Sequence, residues 1–477
     1  MNQLFKPPKK STVVALVFQM VLVWIIVNPT NGNTISLLER GKLIDSVCCD
    51  RSPGFSYALY LPSYYNASRK WPIIFVFDPM ARGSVAITNF TKAAEQFGYI
   101  VVGSNNSKNG FWDLSFQAAN QMFGDTRTKF RIDSTRIYTS GFSGGSRVAA
   151  ALALNTNKIS GVIGCGAGFP IVNNFETLKQ RSFVYVGLVG INDMNYLEML
   201  ELEKQLTQHQ VTSTFRIFDG GHQWPEPNIL YIALEWLELQ AIKKGTKPKD
   251  EIFVRRMFLK QCNEADSVLH QGNILVSSAF YQSILMDFSD QNESSEIQGR
   301  VDSLENTKNY KKASKSRIKI WQEETEIQKT FVNAFHNGFE KLTQNDSIRS
   351  WWKLEIQKLK KTQEKGATDK QHMASRILNW LIIYCYESGY NAISNNQNNM
   401  ALSCFHLLTM IEPDNNYAYF QVAKANIQNK NTRESLNALS KAIQNGYHYK
   451  NTILNDPAFE LLKTNKHFKE LLTKMGN

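Results

Sequence analysis

Residues 136–154 read RIYTSGFSGGSRVAAALAL, and the fold turns on this stretch. At its centre Gly141-Phe142-Ser143-Gly144-Gly145 fits the pattern G-x-S-x-G. The pattern alone is common, so its flanks matter. Residues 136–139 read as a short strand, and residues 146–154 are small and apolar, as in a helix packed closely on a sheet. A serine on a tight strand-to-helix turn has its hydroxyl lifted clear of the sheet, and the glycines give strand and helix room to approach. Working outward, residues 73–77 (IIFVF) form a continuous apolar run, the mark of a strand buried on both faces. Residues 55–61, 99–103, 161–164, 183–189 and 214–218 complete the strand set, with helices expected over 88–97, 113–123, 197–208 and 229–240. Strands alternating with helices predict an α/β segment with a doubly wound, mostly parallel sheet.

A serine hydroxyl needs a base to act as a nucleophile. Of the 8 histidines, His222 lies just past the last expected strand, in Phe218-Asp219-Gly220-Gly221-His222-Gln223-Trp224. This chain order, serine first and histidine last, suits a triad above such a sheet. The acid should follow the preceding strand, where Ile191-Asn192-Asp193 stands, so Asp193 is the expected orienting carboxylate. Asp219 is the rival, but three residues from His222 it fits a turn better. Two backbone N–H groups are expected to hold an oxyanion. One is that of Gly144. The other belongs to the loop Asp78-Pro79-Met80-Ala81-Arg82-Gly83, where Pro79 has no N–H and Met80 or Ala81 must serve. Arg82 reads as a solvated loop residue.

The stretches YALYLP (57–62), WPIIFVFDP (71–79), GFSGG (141–145) and GGHQWP (220–225), in this order, resemble extracellular α/β-hydrolase esterases, in particular the polyhydroxybutyrate-depolymerase and feruloyl-esterase group. The resemblance covers residues 45–240. It implies an α/β-hydrolase fold, an ester substrate and acyl transfer through Ser143, Asp193 and His222; no residue pattern in the chain points to a cofactor or metal. One departure stands out: that family has His-Gly where this chain has Asp78-Pro79. A prolyl-oligopeptidase-like peptidase shares the triad order but has an N-terminal propeller for which this chain has no counterpart. A non-catalytic hydrolase scaffold serving the helical half is the reading from a different class.

The rest of the chain sets the context. With 477 residues, 43% hydrophobic and 20% charged, it is globular rather than disordered. The net charge is +12, shared by the segments on either side of residue 245, without the clustered patch that nucleic-acid binding calls for. Six cysteines include no C-x-x-C pair, so a zinc site has no support, and buried free thiols are expected. Lys6, Lys9 and Lys10 precede an apolar run over 13–27 and a polar exit. This reads as a secretory signal over residues 1–33, or as an uncleaved membrane anchor, although the run falls short of the roughly 20 residues of a spanning helix. Either reading places residues 34–477 outside the cytoplasm.

Lys243, Lys244, Lys247 and Lys249 surround Gly245 and Pro248, so a linker and a boundary are expected near 245, between an α/β domain (34–245) and an all-α domain (246–477). Residues 401–408 align with 435–442 at an offset of 34 residues, the period of tetratricopeptide helix pairs. Helical repeats are therefore expected over 380–477, with a plain helical bundle as the other possibility. Phe331, Phe335 and Phe339 read as a core face. The helical half is expected to bind a protein partner and to take no part in the chemistry.

Overall fold

The computed structural model describes residues 38–110, 112–170, 178, 181–365 and 369–475. The signal or anchor expected over residues 1–33 lies outside them. Among the described residues, no helix is long and apolar enough to cross a membrane.

Eight strands form one sheet: β1 (Leu43–Cys49), β2 (Ser52–Tyr60), β3 (Trp71–Phe77), β4 (Ile100–Ser104), β5 (Ile132–Phe142), β6 (Gly161–Cys165), β7 (Val184–Gly190) and β8 (Ser213–Phe218). Their spatial order is β1-β2-β4-β3-β5-β6-β7-β8. β1 pairs antiparallel with β2, and β2 antiparallel with β4. The pairs from β4 through β3, β5, β6 and β7 to β8 are parallel. This is the α/β-hydrolase fold. β3, β4, β6 and β7 are buried along their whole length, which is why their sequences are unbroken apolar runs rather than alternating ones. β1 escapes that reading because it is an edge strand, mostly exposed and carrying Asp45 and Ser46.

The crossover helices are α1 (Gly83–Thr88), α2 (Thr91–Phe97), α3 (Trp112–Lys129), α4 (Gly144–Asn155), α5 (Tyr196–Gln208) and α6 (Pro227–Lys243). The helix expected over 88–97 is α2, which begins three residues later, and α1 before it was not expected; between the two the fully buried Phe90 ring docks edge-on to Trp224.

All further described elements are helical: α7 (Glu251–His270), α8 (Ile274–Asp287), α9 (Ser294–Asn306), α10 (Lys308–His336), α11 (Asp346–Gln363), α12 (Asp369–Ser394), α13 (Asn398–Ile411), α14 (Asn416–Gln428), α15 (Thr432–Gln444), α16 (Lys450–Asn455) and α17 (Lys466–Thr473), with short 3₁₀ turns at Phe339–Lys341 and Pro457–Leu462. Phe331, Phe335 and Phe339 are core residues stacked about Trp352. The two aligned segments fall on alternate helices, α13 and α15. The six cysteines are free thiols, four of them buried and Cys48 exposed.

Residues Glu39–Asn477 form one compact unit. A single core joins Ile74, Leu188 and Trp236 of the α/β segment to Phe253, Met257, Tyr281 and Val301 of α7 to α9. The lysines near 245 are tied down. Lys247 donates to Glu238 Oε2 at 2.6 Å, Lys243 to the Asp287 carbonyl at 2.7 Å and Lys244 to the Ser182 carbonyl at 2.5 Å. Glu238 in turn pairs with buried Arg136 and accepts from Tyr99 Oη at 2.6 Å.

Asp287 welds α6 to α8. Its carboxylate accepts from Trp236 Nε1 at 2.8 and 2.9 Å and from Gln240 Nε2 at 3.1 Å. Burial raises its pKa, and the Trp236 donor, Lys243 and Gln240 only partly offset this, leaving it at about 6. Between the usual value near 4 and 6, the folded chain keeps a proton that the unfolded chain has released. The contribution of this group to stability is therefore greatest at low pH and falls as pH rises through that window. Asp287→Asn should remove that dependence. In urea unfolding at pH 4.5, 5.5 and 7, the midpoint of the wild type relative to the variant should fall from the lowest pH to the highest.

Candidate active site

The turn after β5 is built by close approach. A Cβ on Gly145 would lie 2.0 Å from the Phe77 carbonyl oxygen, and one on Gly141 would lie 2.2 Å from the backbone of Gly145. Only glycine fits where β5 and α4 cross β3. Between them Ser143 adopts φ 53° and ψ −121°, a conformation that costs on the order of 1–3 kcal/mol for a non-glycine residue. That geometry lifts Oγ away from the sheet.

Ser143, Asp193 and His222 follow β5, β7 and β8, at the carboxyl ends of parallel strands, where open α/β sheets carry their sites. The structure brings the three together. Ser143 Oγ lies 2.9 Å from His222 Nε2, and His222 Nδ1 lies 2.9 and 3.0 Å from the two Asp193 oxygens. Asp193 is fully buried and also accepts from the Asn195 N–H at 2.8 Å. The His222 ring packs on Phe142 with centroids 4.6 Å apart. Asp219 is exposed and is not hydrogen-bonded to His222.

The expected oxyanion donors fare differently. Gly144 N–H, at the first turn of α4, has no hydrogen-bond partner among the described residues. The Asn109 side chain packs on this residue so closely that a Cβ would meet Asn109 Oδ1 at 1.8 Å. The Met80 N–H is engaged, donating to Asp78 Oδ1 at 2.8 Å, and the Ala81 N–H donates to the Asp78 carbonyl at 3.1 Å. Of the three candidate donors, Gly144 is therefore unengaged, while Met80 and Ala81 are both held at Asp78. Both acceptors belong to Asp78, its carboxylate for Met80 and its backbone carbonyl for Ala81.

Arg82 differs from the expectation too. It is not simply solvated: its Nε and Nη2 each reach Asp78 at 2.9 Å. Trp224, two residues beyond His222, donates from Nε1 to Asp78 Oδ2 at 2.9 Å. Burial alone would raise the Asp78 carboxyl, but Arg82, Trp224 and the Met80 N–H together hold it below the usual value. Asp78 thus ties the loop after β3 to the loop after β8.

Helix α12 reaches the site, an approach that no motif or periodicity foretells. Asn379 Nδ2 donates to the Asn192 carbonyl at 2.9 Å, His372 Nδ1 to Asn192 Oδ1 at 2.8 Å, and Arg376 Nη1 to the Ile191 carbonyl at 2.9 Å. Asn379 also lies 3.5 Å from where a Gly221 Cβ would stand. Two turns further along, the solvent-accessible Glu387 is within electrostatic reach of His222 and Arg147; burial raises its carboxyl, and those two groups oppose the shift. The helical half therefore is not detached from the site, contrary to the expectation drawn from the linker. Among the described residues, no cluster of three or more histidine, cysteine or acidic side chains could hold a metal ion.

No protein-family model matches the chain, and no curated protein does. Solved structures similar to part of it include a ferulic acid esterase (16% identity, TM-score 0.35, 40% of this chain and 96% of that one). An S-formylglutathione hydrolase from Staphylococcus aureus is 14% identical, with TM-score 0.33, over 38% of this chain and 92% of that one. Est1E from Butyrivibrio proteoclasticus is 12% identical, with TM-score 0.34, over 42% and 98%.

Asp78→Ala should leave the Trp224 N–H and Arg82 without their acceptor. A fully buried pair broken on one side costs about 3–5 kcal/mol. Arg82 reaches solvent, so the loss should be nearer 2–3 kcal/mol, read as a drop in unfolding free energy in urea with helix content retained.

Proposed function

We propose that the chain is an exported serine hydrolase that cleaves carboxylic esters through an acyl-enzyme. The observation that carries this reading is the unbroken chain of hydrogen bonds from Ser143 Oγ through His222 to buried Asp193. In it, Ser143 attacks the ester carbonyl as His222 Nε2 takes its proton. His222 then returns that proton to the departing alkoxide, and a water repeats the cycle to free the acid. Asp193 holds the imidazole with Nδ1–H toward the carboxylate and stabilises its charged form. The Gly144 N–H stabilises the oxyanion. A second donor requires the Met80 N–H to leave Asp78, or another group to serve. Export follows from the basic and apolar N-terminal stretch, and the 34-residue offset supports a tetratricopeptide-like partner surface over residues 380–477.

Labelling by a fluorophosphonate probe and turnover of short p-nitrophenyl esters test the reading directly. Ser143→Ala should abolish both while the chain stays folded; a folded variant with undiminished turnover would refute it. Asp193→Asn should lower kcat by roughly 10⁴-fold, whereas Asp219→Asn should leave kcat within a few-fold of wild type. The reverse ranking would reassign the acid.

A further inference from the structure

The acid of a triad works only if its carboxylate is aimed at the imidazole, and Asp193 lies on a loop, Ile191-Asn192-Asp193, between β7 and α5. Some of that loop's restraint is local: the Ile191 and Asn192 N–H groups donate to the Phe218 and Gly220 carbonyls at 2.8 and 2.9 Å. The carbonyls of Ile191 and Asn192, however, are held from elsewhere. Arg376 and Asn379 of α12 donate to them, and His372 holds the Asn192 side chain.

Arg376 is itself rigid. Its Nε and Nη2 form a fork on Glu324 of α10 at 2.9 and 2.6 Å, both side chains are almost wholly buried, and its guanidinium lies 4.4 Å from the centre of the Tyr196 ring at the start of α5. A planar guanidinium fixed by a carboxylate and an aromatic face can turn its Nη1 group in only one direction. That direction is the Ile191 carbonyl, two residues from Asp193.

We infer that α12 is a positioning element for the catalytic acid: Arg376, braced by Glu324, and Asn379 set the loop that aims Asp193 at His222. The inference rests on the triad reading above. It gives the helical half a part in the chemistry without placing any of its residues on the substrate. Misplacement of a reacting or orienting group by about 1 Å can cost on the order of 10²-fold in rate, so this support need not be large to matter.

A double-mutant cycle on the full chain tests it. Asn379→Ala removes one donor from a half-buried site. It should lower kcat roughly ten- to hundredfold, with KM for a small ester nearly unchanged. If Asn379 acts through Asp193, the same substitution in an Asp193→Asn background should cost almost nothing more, because the carboxylate it aims is already gone. A merely structural role predicts the same fold-loss in both backgrounds, and that result overturns the inference, as does an Asn379→Ala enzyme with unchanged kcat. Arg376→Lys is the second variant. It keeps a positive charge against Glu324 but loses the fork, and it should show the same non-additivity with Asp193→Asn. Additive losses for both variants in an active enzyme defeat the positioning role alone. A wild-type chain that neither turns over esters nor reacts with a fluorophosphonate defeats the triad reading and this inference with it.

Discussion

Everything at the candidate site depends on how closely α4 approaches the sheet. The strand β5 passes into α4 within a few residues, and the crossing leaves no space for a side chain on Gly141 or Gly145. The strain this places on Ser143 is tolerated because the surrounding backbone is fixed by parallel strands on both sides, β3 and β6. A looser turn would let Ser143 relax to an ordinary conformation and swing Oγ away from His222. The same crossing leaves the first N–H groups of α4 beside the nucleophile, so one packing constraint supplies both the exposed hydroxyl and the donor at Gly144.

Around this turn, two charged groups set the positions of the loops. Asp78 lies beneath one side of the site and joins the loop after β3 to Trp224 beyond the histidine. In occupying the Met80 N–H it sets what that loop can offer a developing oxyanion. On the other side, the Arg376–Glu324 pair is buried between helices of the C-terminal half and reaches the acid loop. A buried ion pair is weak evidence for stability in itself, but it suits the fixing of a geometry, because neither partner can move without exposing the other to an unpaired environment.

The helical half is thus bound to the α/β segment at several points, Trp321 of α10 against Tyr196 and Met199 among them. α7 to α9 cover the apolar side of α6, with Asp287 satisfying the Trp236 N–H inside the contact. α12 meets the loop after β7. The basic stretch near residue 245 looks like a linker by composition, yet Lys243, Lys244 and Lys247 all have partners in the folded chain. Charge and glycine content report how a segment would behave alone, and these lysines are not alone.

The sequence by itself determined the sheet, its parallel core, the nucleophile turn and the chain order of Ser143, Asp193 and His222. Each of those rests on local chemistry: unbroken apolar runs for doubly buried strands, small residues where helix meets strand, and loop positions at strand ends. The edge strand β1 was not legible because half-exposed strands carry little apolar signal, and α1 was not legible because it is a six-residue helix, too short to show a period. Only the tertiary structure decided what Asp78 holds, that Met80 is not a free donor, and that residues more than 180 positions beyond Ile191 fasten the acid loop. Those are contacts between polar groups far apart in the chain, and no periodicity or motif encodes which donor will face which carbonyl until the core has brought them together.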